Sequence, residues 1–220
     1  MGEDLPPVAL DVRNFKPGNS IDTCAIWNLL SSARLTAAAR ARQCGFAVAG
    51  YVRFEALDKP RTNPTPAEST MQDELREKLS RGQEFREVLL SVADLAVVAR
   101  LPASKGLGRG EIAAAALALK IRCALLTDDQ KARKLLSGLA INHIQTTPHL
   151  LGWLGYEGEL TDGDIPTIIA QHEERITHVP SRLTKFFEAM WRQACLYLLI
   201  KNQPWAKEQG SSQNMSTPPG

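Results

Sequence analysis

Several of the commonest routes to structure and chemistry are missing from this sequence, and each absence removes a class of protein. Its four cysteines, Cys24, Cys44, Cys123 and Cys195, are widely scattered. They make no CxxC pair, so neither a zinc site of that type nor a disulfide framework is expected. Cys24 and Cys123 lie in apolar surroundings and are expected to be buried as small hydrophobes. The four histidines are equally dispersed, with His172 and His178 six positions apart, so no histidine metal pair is expected. No apolar run reaches the roughly 18 residues that a membrane span needs. The N-terminal MGEDLPPVALDVRNF is acidic and proline-bearing where a secretory signal would be apolar. A cytoplasmic, reducing setting without a membrane partner is the expectation. The glycines of PASKGLGRG, residues 102–110, lack the spacing of a phosphate-binding loop.

A strong field of one sign is also missing. Twenty-six Lys and Arg against 24 Asp and Glu give a net charge of +2. Any contact with nucleic acid must therefore be local. One basic run qualifies: Arg34, Arg40, Arg42, Arg53, Lys59 and Arg61 stand against only Glu55 and Asp58. An ordinary solvated face is the alternative for that run.

What is present is 44% hydrophobic content over 220 residues, enough for one substantial core and a smaller appendage. Residues 1–18 read as an irregular N-terminal segment with a short strand at Val8–Val12. From residue 19 to about 150 the pattern alternates between strands and helices. Strands are predicted at 19–22, 46–52, 94–101, 123–127 and 138–145. Helices are predicted at 26–30, 35–43, 112–120, 130–136 and 146–156, the last with Thr147 as cap and Pro148 in first position. Residues 71–90 read as one helix or two, interrupted near Gly82. This alternation predicts an α/β domain with a largely parallel sheet of four or five strands. Residues 151–205 read as a helical extension, with helices at 164–178 and 181–200. The second carries a broad apolar surface, to be covered by the α/β domain or by a second copy in a homodimer. Residues 206–220 are polar and expected to be disordered.

Chemistry is suggested by acids at strand ends. Asp22, Glu55, Glu111 and the pair Asp128/Asp129 each follow or border a predicted strand. Each has a plain alternative. Asp22 could cap a helix, Glu55 could pair with Arg53 or Lys59, and Glu111 could complement the N-terminus of an alanine-rich helix. If the strands are parallel, however, all of these acids arrive at one sheet edge, where open α/β sheets bind ligands. Clustered carboxylates repel unless a cation joins them. Oxygen-only ligation suits magnesium or manganese, and the chemistry that such a site favours is phosphodiester hydrolysis.

The ordered set Asp22-Thr23, Glu55, GEIAAAALA from Gly110 and LLTDD followed by KAR resembles the PIN domain. Within it, the set is most similar to toxin nucleases of the VapC type and to relatives with a GE…TDD..AR pattern. The resemblance covers roughly residues 20–147. It implies a three-layer α/β/α fold and metal-dependent endonucleolytic cleavage of RNA. It also implies a ring of metal-binding acids at Asp22, Glu55, Glu111 and Asp129, with Asp128 as the competing fourth ligand. The toxin role of a toxin–antitoxin pair, with a cognate antitoxin protein as partner, follows from the same likeness. Arg34, Arg40, Arg53 and Arg133 are the candidates to hold the RNA backbone, although Arg133 could instead pair with an acid of the site. A non-catalytic RNA- or protein-binding module on the same fold is the alternative. A phospho-acceptor receiver would need its acidic pair after the first strand, whereas here the pair comes late.

Overall fold

The computed structural model describes residues 10–100, 105–141, 143–176 and 183–203. Its centre is one five-stranded, wholly parallel sheet in the order β3-β2-β1-β4-β5. The strands are β1 (Gly18–Ile21), β2 (Gly45–Ala49), β3 (Phe85–Val88), β4 (Ala124–Leu126) and β5 (Ile144–Gln145). Ile21 stands level with Val48 of β2 and Leu126 of β4, so the ends of the three central strands are aligned. Helices cover both faces in a three-layer α/β/α arrangement, continued by a helical stretch at the C-terminus.

On one face lies α6 (Arg109–Ile121), packed on β1, β2 and β4. Its run from Ala113 to Ala118 is fully buried. Side chains this small let the helix come close enough for the Ser20 hydroxyl to donate to the Ala114 carbonyl at 2.8 Å. The short α3 (Gly50–Arg53) and α5 (Val92–Ala99) pack against α6. The other layer holds α1 (Thr23–Leu30), α2 (Ala33–Ala41), α4 (Pro66–Arg81), α8 (Thr147–Tyr156) and α9 (Asp164–Arg175). The last helix, α10 (Thr184–Lys201), lies along α8 and buries Phe187 and Ala194. Its apolar surface is therefore largely covered by its own chain, although Leu196, Leu199 and Ile200 stay exposed.

Four sequence expectations need correction. Residues 94–101 were expected as a strand because Val and Leu dominate them. The described part is helix instead, because Ser91 and Asp94 close a capping box and Asp94 also pairs with Lys120 of α6 at 2.8 Å. Residues 85–90 were expected to be helical. Gly82 instead takes a left-handed conformation (φ 61°) that ends α4, and Phe85–Val88 then pairs with β2 as the edge strand β3. β2 stops at Ala49 rather than Val52, and the chain turns at once into α3 and a π-type turn, Phe54–Asp58. Glu55 thus stands on a helical turn, not directly after a strand. At the N-terminus, Val12 opens a 3-10 turn capped by Asp11 in place of the expected strand end; Val8 and Ala9 lie outside the described residues.

Two smaller differences concern the end of the sheet and its helix. β5 is only Ile144–Gln145. Thr146, not Thr147, caps α8 by accepting from the His149 amide at 3.2 Å. The expected disordered tail, 206–220, lies outside the described residues. Among those described, no helix is long and apolar enough to cross a membrane.

The α8–α10 contact leaves no room for larger residues. A Cβ on Gly152 would lie 2.9 Å from both the Cβ and the backbone carbonyl oxygen of Met190. Gly152→Ala is expected to destabilise the protein by about 1–3 kcal/mol. The Tm in thermal unfolding should fall by roughly 2–4 °C per kcal/mol. Gly18→Ala, where a Cβ meets nothing within 4 Å, should leave it within about 1 kcal/mol of wild type.

Candidate functional site

The chain leaves β1 towards β2 on one side, whereas β4, on the other side of β1, leads on to β5. Strand order therefore reverses between β1 and β4. At such a point the connections diverge and open a crevice beyond the carboxyl ends of the strands. A cleft of about 380 Å³ occupies that place. Asp22, Glu55, Glu111 and Asp129 all line it, together with Thr23 and Trp27. The structure thus brings together the four acids that the sequence singled out.

Each acid is held by a local donor. Asp22 is the N-cap of α1, accepting from the Ala25 amide at 2.7 Å. Its second oxygen accepts the hydroxyl of Thr127 at the end of β4. That same hydroxyl oxygen accepts from the Asp129 amide at 3.3 Å. Asp129 caps α7 (Gln130–Leu136) through the Ala132 amide at 2.7 Å. Glu55 accepts from the Thr23 hydroxyl at 3.2 Å and has Lys59 Nζ at 4.0 Å. Glu111 reaches back to the Gly108 amide at the start of α6. The plain alternatives for these acids therefore hold at the same time as their convergence.

Asp128 faces elsewhere. Its oxygens accept from Asn28 Nδ2 at 2.8 Å, from the Thr147 amide at 2.8 Å and from the Thr147 hydroxyl at 2.6 Å. It ties the β4 loop to α1 and α8, while its neighbour Asp129 enters the cleft. Thr23, Thr127 and Gly110 were not given roles from the sequence. Both threonines stood inside the quoted motifs, so the signal was present but could not be separated from plain capping chemistry. Gly110 matters because a Cβ there would lie 3.1 Å from Glu55 Cδ and 3.6 Å from Thr23 Oγ1. The Glu55 carboxylate occupies the space that a side chain would take.

None of the four arginines assigned to the RNA backbone lines the cleft. Arg34 is bound bidentately by Asp164 at 2.6 and 3.0 Å, joining α2 to α9. Arg40 pairs with Glu84 at 3.2 Å, and Arg53 with Asp58 at 2.7 Å and Glu87 at 3.3 Å. Arg133 borders a small cavity of about 30 Å³ beside Asp128, Phe186 and Met190, and its Nε has no hydrogen-bond partner among the described residues. The basic run of residues 34–61 is thus dispersed among separate ion pairs.

All four cysteines are free, as expected, but Cys24 is exposed and Cys123 half-buried, contrary to expectation. Asp22, N-cap of α1, puts Cys24 in its first turn and so at the cleft. His149 and His172 are buried in helix packing, with His149 Nε2 2.7 Å from the Asp11 carbonyl and His172 Nδ1 2.8 Å from the Ser31 hydroxyl.

Among the described residues, no three histidine, cysteine or acidic side chains converge as a ready-made metal shell. The donor chemistry nevertheless suits a hard cation. The cleft offers carboxylate oxygens, and each carboxylate has lone pairs beyond those already engaged. Magnesium needs only one or two carboxylates directly, because it keeps several waters.

Asp22 is an acid whose surroundings change its titration in a clear direction. It is 3% exposed, and burial pushes it up to about 7 against the pull of Thr127 and Ala25. Asp128 and Glu111 add to the rise. An unfolded aspartate titrates near about 3.9. Between those values the folded state holds the proton more tightly, so this stabilisation is complete below the lower value and lost as pH rises through the upper one. His149 acts in the opposite sense. Burial draws it down to about 4, so its contribution is present above its unfolded value and lost as pH falls. A difference curve against Asp22→Asn isolates the aspartate. In chelator, wild type should lose up to about 4 kcal/mol relative to that variant between about pH 4 and 7, measured by urea denaturation. Parallel curves would show that Asp22 titrates as it does in water. Compared with family models, curated proteins and solved structures, the chain matches none.

Proposed function

We propose that the protein is a magnesium- or manganese-dependent endoribonuclease, with Asp22, Glu55, Glu111 and Asp129 as the acids that hold the cation. One observation carries this reading. Four acids from four separate segments line a single cleft at the strand-order reversal of a parallel sheet. Acids gathered in this way repel one another, and burial adds to the disadvantage, unless positive charge joins them. A bound divalent ion supplies that charge and makes water a better nucleophile towards a phosphodiester.

The residues of this chain do the positioning. Ala25 and Thr127 fix Asp22, the first turn of α7 fixes Asp129, and Thr23 holds Glu55 against Gly110. Glu111, at the start of α6, has the longer arm and can swing from the Gly108 amide towards the cleft centre. RNA as substrate follows from the likeness of the GE…TDD..AR pattern to PIN nucleases.

A second reading, a non-catalytic RNA- or protein-binding module, draws on the donors that already engage each acid and on the lack of a converged shell among the described residues. Calorimetric titration with manganese separates the two, since the second reading requires no divalent site.

The first reading is tested with a mixed RNA pool, in manganese and in chelator. Cleavage should need the cation, and Asp22→Asn and Asp129→Asn should each lower it by more than about a hundredfold with the fold intact. Undiminished cleavage by both variants would refute it. Gly110→Ala should displace Glu55 and lower cleavage about ten- to a hundredfold. Its Tm should change little, because the obstructing atoms are the tip of one side chain.

A further inference from the structure

We propose that Trp27, backed by Arg61, is a stacking platform for a nucleobase next to the acidic cleft. The inference rests on the nuclease reading for its ligand class and deepens it by naming how the substrate is held.

Trp27 lies one helical turn after Thr23 on the same face of α1. The residue that holds Glu55 and the indole thus share one wall of the cleft, and Trp27 lines the cleft alongside the four acids. The ring is partly exposed there, although it also packs on the core. The Arg61 guanidinium sits over the indole, 4.7 Å from the ring centroid. Arg61 is itself held by Glu68 of α4 at 3.0 Å. Three consequences follow. The indole plane is fixed, so a flat ligand meets a surface that is already ordered. The guanidinium brings positive charge beside a cleft whose other charged groups are mostly acids. The ring offers a π-surface, which every nucleobase can stack on whatever its sequence. The arginines proposed from sequence to hold the RNA are engaged away from the cleft, whereas Trp27 lines it and Arg61 lies over its ring.

Trp27 is thus a positioning residue, and its effect should fall on binding and KM rather than on the reacting atoms. The test measures binding of a short oligouridylate, and of its abasic equivalent, in chelator so that no cleavage occurs. Wild type should prefer the base-bearing strand. Trp27→Leu should weaken that binding roughly five- to a hundredfold, Trp27→Phe should restore most of it, and neither should change binding of the abasic strand. Equal binding of the two strands by wild type, or unchanged oligouridylate binding by Trp27→Leu, would overturn the platform. So would failure of Trp27→Phe to recover when its Tm matches wild type. The two proposals fail separately. Base-dependent binding without manganese-dependent cleavage removes the nuclease and keeps the platform. Cleavage whose KM ignores Trp27→Leu removes the platform and keeps the nuclease.

Discussion

The structure turns on one buried contact, the Thr127 hydroxyl donating to the Asp22 carboxylate. β1 and β4 run parallel, and the backbone bond from the Asp22 amide to the Leu126 carbonyl closes their pairing at 3.2 Å. Beyond it the two chains separate, one into α1 and the other into α7. The threonine spans that separation. Its donor binds the acid of one strand end, and its acceptor holds the amide of Asp129 at the other. A polar link this deeply buried strongly favours one register, because a slip would leave one buried oxygen of the Asp22 carboxylate without its donor.

The treatment of charge follows from that constraint. Four acids share the cleft, and most are quieted by backbone amides at helix starts, where the helix dipole also favours negative charge. Positive charge is largely kept away. Arg34, Arg40 and Arg53 are engaged in ion pairs that join helices or close loops. On the proposed nuclease reading, a cation would enter this cleft first and a phosphate only after it. Arg61 reaches the cleft wall through the ring of Trp27, and Lys59 approaches Glu55 at 4.0 Å.

The C-terminal helices belong to this arrangement and are not a separate appendage on it. Asp128 bonds the start of α8 through Thr147, and α10 lies in the groove that Gly152 and Gly155 leave on α8. Arg34 and Arg175 tie α9 back to the α/β body through Asp164, the Leu30 carbonyl and Glu74. The loop that carries Asp129 is thereby braced from behind by the last third of the described chain.

By itself the sequence determined the features set by local chemistry. The alanine run of α6, the strand-to-helix junctions at Asp22 and Asp129, the helices from 130 and 147, and the parallel α/β class were legible because caps, propensity and apolar period agree there. The sequence also named the four acids, since a carboxylate at the border of an apolar run stands out from it, even though Glu55 and Glu111 prove to stand on helical turns. Tertiary structure decided what local pattern could not. Phe85–Val88 is a strand only because β2 offers it an edge, and 92–99 is a helix because its cap outweighs valine's preference for strands. The roles of the arginines, of Gly110 and of the two threonines depend on partners far along the chain. Arg34 meets an aspartate 130 residues away, and Thr127 meets one 105 residues away; such pairings are set by three-dimensional packing, which sequence spacing does not encode.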